Sequence, residues 1–320
     1  MRFIDARTGK IKWNWNAVEN AHISHLYDRG EVDLRMLTKR KAAKVVEYMA
    51  AHENINKAAN ACITLTDEEI ELLTNYAELN GDEASYLRVL CFMLKEGLYD
   101  NCVLWLPMTR NLRAGTNDTD TEVYDRSNFG NHGTIIGAVW QTLPSGKSVL
   151  SFAGVEDYVE VQDSESLRIT GDITIEAWVK PNDLSTWSTI ISKINNHEFE
   201  VVSEPDGRIT FYHGDGEFEF LSNISLSNSL QVGKWTHFAI VRSMSDSKVY
   251  CFVNGVDKVG GQSFSKTPTV SSASVTIGGR LGTLHHHFNG TIDEVCIYGR
   301  ALSAEEIRRL YELTRVFYGV

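Results

Sequence analysis

Three things are scarce in this chain, and each scarcity closes off a class of function. Cysteine is the first. Cys62, Cys91, Cys102, Cys251 and Cys296 are odd in number and include no Cys-x-x-Cys pair. That fits neither a disulfide framework nor a zinc ribbon, so five reduced, buried thiols are expected. Clustered positive charge is the second. Lys and Arg number 31 against 42 Asp and Glu, a net charge of −11, and the first 100 residues and the remainder are both acidic. A phosphate-tracking surface needs clustered cations to release counterions. The one basic run, Lys39-Arg40-Lys41 with Lys44, is short enough to be an ordinary solvated helix face, so no nucleic-acid partner is expected. Long apolar runs are the third. Nowhere do eighteen apolar residues stand together, and Arg2, Asp5 and Arg7 interrupt the start too early for a secretory signal. The expectation is a protein without a membrane span or signal peptide, made in the cytoplasm, with the triplets at Asn117, Asn223 and Asn289 unglycosylated.

What is present changes character near Asn101. Before it, after an irregular opening with Trp13 and Trp15, apolar residues recur at helical spacing. Ala42, Val45, Val46 and Met49 mark a helix over 37–51. Thr66 and Glu69 have capping-box spacing for a second, with Ile70, Leu73, Tyr76 and Ala77 as its stripe, ended by Asn80-Gly81. A third helix spans 82–96 and stops at Gly97. After Asn101 the period drops to two. In Ile173-Thr174-Ile175-Glu176-Ala177-Trp178-Val179, Ile, Ile, Ala and Val share one face, as a strand packed on one side by a second sheet requires. About eleven or twelve such runs, separated by Gly, Asn and Asp, predict a mainly β fold: a two-sheet antiparallel jelly-roll sandwich. Ser303 and Glu306 cap a last helix over 303–314. The expected domains are a helical anchoring or assembly domain over 1–101 and the sandwich over 102–320.

The order of motifs in the second part resembles the laminin-G-like, concanavalin-A-like jelly-roll family. The resembling pieces are VLWLPM (103–108), YDRSNFGNHGTIIGAVW (124–140), LSFAGVEDYVEV (150–161), ITIEAWVKP (173–181), TIISK (189–193), GKWTHFAIVR (233–242), VYCFVNG (249–255) and FNGTIDEVCIYGRALSAEEIRRLY (288–311). The resemblance implies a structural calcium ion near one sheet edge and ligand recognition by rim loops or a sheet face. Calcium takes hard oxygen ligands. Asp125, at the head of the loop 125–133, and Asp293, in the last long strand motif, match the family's calcium positions, with Asn131 and Glu156 or Asp157 as further donors. The family's usual Gly-Asn step is Asn128-Phe129 here. Without metal, Asp125 would cap its loop through an Asx-turn and Asp293 would pair with Arg300 or Arg280.

No catalytic set stands out. A glycosidase needs two carboxyls facing one bond, and the related glucanases carry a strand motif resembling Glu-x-Asp-x-Glu. The nearest alternations are Glu198-Phe199-Glu200 and Glu217-Phe218-Glu219, which read as solvated carboxylates opposite buried Phe199 and Phe218. Of His285-His286-His287, only the outer two share a face of an extended segment, so a loop tip is expected in preference to zinc. His237 and Cys251 read as interior. Trp187, Asn195, Asn196, His197, Tyr212, His213 and Asp215 would form a glycan-binding cluster, with His285 and His287 close by, if the connections 182–188 and 194–198 lie at one rim. The competing reading of Trp187 is a cover over the sandwich end.

The expected function is non-enzymatic recognition or display. A virus or phage particle protein, made in the cytosol and showing its lectin-like face after release, would combine a recognition fold with a missing export signal. Residues 1–101 would then bind assembly partners, as a homo-oligomer or within a larger assembly, while the jelly roll takes a glycan or cell-surface ligand. A stand-alone or cell-surface carbohydrate-binding adhesin is the alternative. A glycoside hydrolase with a non-standard carboxylate pair is the third.

Overall fold

The computed structural model describes residues 80–320 apart from 112–116 and 281–285, together with the backbone of 2–4 and 11–13; of Asn195 it describes the backbone alone. The helices expected over 37–51 and 66–80, and the assembly role of 1–79, lie outside the described residues. The opening is not irregular throughout: β1 (Arg2–Ile4) and β2 (Ile11–Trp13) form an antiparallel hairpin.

The expected sandwich is present. One sheet takes β13 (Phe218–Leu221), β12 (Ile209–Gly214), β11 (Phe199–Ser203), β10 (Ser188–Lys193), β18 (Val275–Ile277), β8 (Tyr158–Val161), β5 (Gly133–Ile136) and β4 (Glu122–Val123), in that order across the sheet. The other runs β16 (Val256–Asp257), β15 (Lys248–Val253), β14 (Thr236–Ser243), β9 (Ile173–Pro181), β19 (Asn289–Tyr298), β7 (Ser148–Ala153) and β6 (Val139–Thr142). To these β17 (Gln262–Ser263) adds on β15 and β3 (Cys102–Leu106) on β19. All pairs between these strands are antiparallel. Inward residues of both sheets make one core: Ile173, Ile175, Ala177 and Val179 of β9 meet Val159, Val201, Phe211 and Ile277 opposite. Alternation thus places β9's inner face as its sequence predicts.

Its outer face is not wet. Thr174, Glu176 and Trp178 are buried, because two helices and the C-terminal turn cover the nine-stranded sheet. Helix α1 (Gly81–Lys95) contributes Val89, Leu90 and Met93, and helix α2 (Ala304–Thr314) contributes Ile307 and Leu310. Both pack on Trp105, Ala239, Val241, Cys296 and Tyr298. Helix α1, which precedes Asn101, thus shares one cluster with the strands that follow it. Asn80 starts α1 as one half of a capping box with Glu83. Gly81 is required there: a Cβ would lie 2.3 Å from the Lys147 nitrogen and 2.5 Å from the Ser145 carbonyl. The expected Ser303–Glu306 box caps α2. Cys102, Cys251 and Cys296 are buried thiols, but Cys91 is disulfide-bonded, which corrects the expectation of five reduced cysteines.

Candidate functional site

Helices α1 and α2 both pack on the nine-stranded sheet, and the outer face of the eight-stranded sheet is aromatic at its β12–β13 edge. Phe220 stands opposite Tyr212 across the β12–β13 pairing, and Phe218 stands opposite Gly214, where the backbone carbonyls of Glu217 and Asn196 leave no room for a side chain. The rings of Tyr212 and Phe220 lie 4.9 Å apart, those of Tyr212 and Phe218 5.9 Å, and Trp187, just before β10, reaches to 5.7 Å from Phe220. Phe218 is 57% and Phe220 40% exposed. A contiguous cluster of exposed rings is uncommon on a monomer and marks a recognition surface.

A charged fringe borders the strip. Glu200, opposite Tyr212 on β11, is buried; its Oε1 accepts from the Thr189 hydroxyl at 2.8 Å and its Oε2 lies 3.9 Å from the Arg280 guanidinium. Burial pushes the Glu200 carboxyl up, and Arg280 pulls it back. The Tyr212 phenol is raised to about 12 by burial and by Glu200 and Glu204, so it keeps its proton and can both donate and accept hydrogen bonds. Glu204 accepts from the Thr210 hydroxyl and sits 3.8 Å from Arg208.

The sheet edge itself is closed. The Glu219 carboxylate accepts from the Ser265 and Lys266 amides at 2.9 and 2.7 Å, tying the segment 264–269 along β13. Phe264 packs edge-on against His213 at 4.9 Å. A partner strand therefore does not find a free edge here, and what remains open is the aromatic face.

The sequence-predicted ligand residues do not form one cluster. The connections 182–188 and 194–198 flank β10, a six-residue strand, and so lie at opposite ends of it, ~20 Å apart. At one end are Trp187 and His287, the latter bridged to Thr189. At the other are Asn196, whose side chain donates to Gly216, His197, whose Nδ1 is 2.7 Å from the Thr269 hydroxyl, and Asp215, paired with Lys266 at 3.0 Å. The Asn195 backbone belongs to this second group, within the turn 194–198; His285 lies outside the described residues. His213 leaves the site altogether. Successive strand residues face opposite ways, so beside Tyr212 it points inward, fully buried between Phe211 and Phe264, and burial lowers its imidazole to about 4.

The acidic alternations also change. Phe218 is exposed, not buried, while Glu219 beside it is consumed by the 264–269 segment. Glu198 and Glu200 are both buried rather than solvated: Glu198 pairs with Lys193 at 3.0 Å and accepts from Ser271, whereas Glu200 faces Thr189 and Arg280. Neither alternation presents two carboxyls to one cleft. Phe218 and Phe220 were missed because a Glu-Phe-Glu-Phe alternation shows two faces without showing which is inward; the tie to residues 265 and 266, distant in sequence, decides it. His237 and Cys251 are interior as expected.

The calcium donors do not fit a calcium ion. Asp125 accepts at Oδ1 from the Trp105 and Ser127 amides, both at 2.9 Å, and at Oδ2 from the Ser127 hydroxyl and the Asn131 amide at 2.6 and 2.8 Å. Asn131 bonds Val103, Ser164 and Ser166 through its side chain. This is a loop capped by its own carboxylate, as in an Asx-turn. Asp293 is elsewhere employed. It pairs with neither Arg300 nor Arg280 but with the buried Lys147 ammonium at 3.0 Å, and accepts from Tyr318 at 2.7 Å. A divalent ion there would share its pocket with a cation already in place. Among the described residues, no group of three or more His, Cys, Asp or Glu could hold a metal.

Comparison with known proteins agrees with this fold. Residues 153–308 match the sequence model of the concanavalin A-like lectin/glucanases superfamily. No curated protein sequence matches the chain. Among solved structures, the binding domain of Paraclostridial Mosquitocidal Protein 1 superposes with a TM-score of 0.54 at 18% identity over 67% of this chain and 52% of that one. The ligand binding domain of botulinum neurotoxin serotype D, solved with N-acetylneuraminic acid, gives 0.51 at 16% over 68% and 52%. Domain 4 of AbnA, a GH43 extracellular arabinanase from Geobacillus stearothermophilus, solved with arabinotriose, gives 0.50 at 24% over 66% and 98%. The chain spans about half the length of the toxin binding domains, and at these identities the likeness is one of fold.

Proposed function

We propose that this chain, whose residues 153–308 belong to the concanavalin A-like lectin/glucanases superfamily, is a non-catalytic glycan-recognition protein that binds sugar on the outer face of its eight-stranded sheet. The observation that carries the reading is the strip in which the exposed Phe218 and Phe220 adjoin the half-buried Tyr212 and Trp187. The C–H face of a sugar ring stacks on such rings, while the Tyr212 hydroxyl can bond its hydroxyls. Two structural neighbours were solved with sugars, N-acetylneuraminic acid and arabinotriose, which supports a sugar as the ligand class. Carboxylates engaged by Lys193, Ser271, Ser265 and Lys266 support a binding role over hydrolysis.

The test is a glycan array probed with the full chain, followed by calorimetric titration of any sugar retained. Phe220→Ala removes one ring contact, worth about 0.5–1.5 kcal/mol, and should weaken binding by roughly two- to tenfold with no change in Tm. Binding that ignores Phe220→Ala and Tyr212→Ala alike would overturn the site.

We propose further that the N-terminal part, residues 1–101, attaches this recognition unit to a larger assembly, with a viral or phage particle as the setting that best joins a lectin-like face to the sequence pattern before it. Among the described residues, no helix is long and apolar enough to cross a membrane. Light scattering on the full chain should show an oligomer; a monomer at all concentrations would contradict this second proposal.

A further inference from the structure

The strip has a shape and an electrostatic border, and together they say more about its ligand than that it is a sugar. Phe218 and Phe220 are two residues apart on one strand, ~7 Å along its axis, and Trp187, from the connection before β10, brings a further ring to 5.7 Å from Phe220. Tyr212 fills the inside of the row, 4.9 and 5.9 Å from the two phenylalanines. The result is a ledge rather than a pocket, on the order of 12 Å long, room for about two to three rings at ordinary stacking distances. At the Phe218 end the backbone carbonyls of Glu217 and Asn196 close over Gly214, so the row of rings ends there.

The border is acidic in excess. Cations are present, but those flanking the strip are already matched: Arg280 lies 3.9 Å from Glu200, Arg208 lies 2.8 Å from Asp206 and 3.8 Å from Glu204, and Lys266 lies 3.0 Å from Asp215 and 3.4 Å from Glu217. An anionic sugar would have to displace a carboxylate from its partner or sit among like charges, and either costs affinity.

We infer that the Trp187–Phe220–Tyr212–Phe218 ledge takes an internal run of rings of a neutral oligosaccharide, lying along β13, rather than a terminal or anionic sugar. This rests on the glycan reading above and narrows it. Each ring of the ligand gains its own aromatic contact, so affinity climbs with chain length until the ledge is covered and then stops climbing.

The experiment titrates the full chain with cello-, xylo- and arabino-oligosaccharides from the monosaccharide to the hexasaccharide, and with 3′-sialyllactose and oligogalacturonides as anionic counterparts. In at least one neutral series Kd should fall about tenfold or more between the monosaccharide and the trisaccharide and level off beyond the tetrasaccharide. The anionic sugars should bind more weakly at low salt. Phe218→Ala should lower the affinity of the longer sugars more than that of the shortest, and Phe218→Leu, which keeps apolar bulk without an aromatic face, should behave the same way. Because Phe218 is 57% exposed, both variants should keep the parent Tm. Affinity independent of length, preference for an anionic sugar, or loss in Phe218→Ala that is uniform across lengths would each overturn the inference and leave glycan recognition standing. Failure of every neutral and anionic sugar to bind would overturn both.

Discussion

Replacing Lys147 by Met probes the part of the fold that the sequence hid most thoroughly. The Lys147 side chain is fully buried between the nine-stranded sheet and the start of α1. Its ammonium donates to the Pro107 and Ser148 carbonyls and to Asp293, whose other oxygen accepts from Tyr318. Burial lowers the Lys147 amine, but Asp293, Glu294 and Asp82 together more than offset that and leave it raised, so it stays charged. A bulge in β19 brings the two β19 acids together. The register shifts between Asp293 and Cys296, Glu294 has φ +50°, and both consecutive side chains reach the helix-covered side. Glu294 there accepts from Trp105 Nε1 at 2.8 Å and from Ser85 at 3.2 Å. Lys147→Met leaves the buried Asp293 carboxyl without its cation, next in sequence to the buried Glu294. Breaking a buried pair by removing one partner costs about 3–5 kcal/mol, which for a folded unit of this size lowers Tm by roughly 10 °C. Thermal melts followed by circular dichroism, with urea unfolding for the free energy, measure it. The double variant Lys147→Met, Asp293→Leu should recover part of the loss, because an apolar replacement of the whole pair is close to neutral. A loss below about 1 kcal/mol, a value typical of a surface pair, would refute the reasoning.

Three further outcomes follow from the same structure. His213 titrates near 4 when folded and near 6.5 when unfolded. Between those values the unfolded chain binds the extra proton, so stability present above pH 6.5 should be lost as pH falls toward 4. His213→Phe should flatten that part of the Tm-versus-pH curve, and superimposable curves would argue against a neutral buried imidazole. Dialysis against EDTA should leave Tm unchanged, because the oxygens of Asp125 and Asp293 are occupied by protein donors; a fall in Tm restored by calcium would contradict that assignment. Asp125→Ala removes the acceptor for two amides of its loop, Ser127 and Asn131, and for the Trp105 amide of β3, and should cost about 2–3 kcal/mol in urea unfolding, whereas a change within 0.5 kcal/mol would mean that the loop is held by something else.

The sandwich was legible because its code is local. In β9 the period-two pattern of Ile173, Ile175, Ala177 and Val179 sends four apolar side chains into the core, and the box of Ser303 and Glu306 starts α2 where it should. The opposite face of β9 was not legible. Thr174, Glu176 and Trp178 read as a face turned to water, yet α1, α2 and Tyr318 cover them; the Trp178 and Tyr318 rings stack at 4.1 Å. Covering elements from both chain ends leave no mark on the strand they cover. The same limit divides the candidate site. Trp187 and Tyr212 were visible as aromatics near turns, but placing His213 beside Tyr212 overlooked the alternation of β12, and Phe218 was turned inward because its exposure depends on how Glu219 is held by residues 265 and 266. Asp293 was expected to meet a metal or an arginine because the sequence shows the carboxylate and not the lysine, 146 positions away, that answers it.

The central claim is that the aromatic ledge on the eight-stranded sheet binds sugar. Calorimetric titration of the full chain with the best neutral oligosaccharide from the array, beside a Tyr212→Ala, Phe220→Ala double variant that melts at the parent temperature, tests it most directly. The account predicts saturable binding by the parent and a loss of about tenfold or more in the double variant, the sum of two stacking contacts. Equal affinity of the two proteins for that sugar would contradict it.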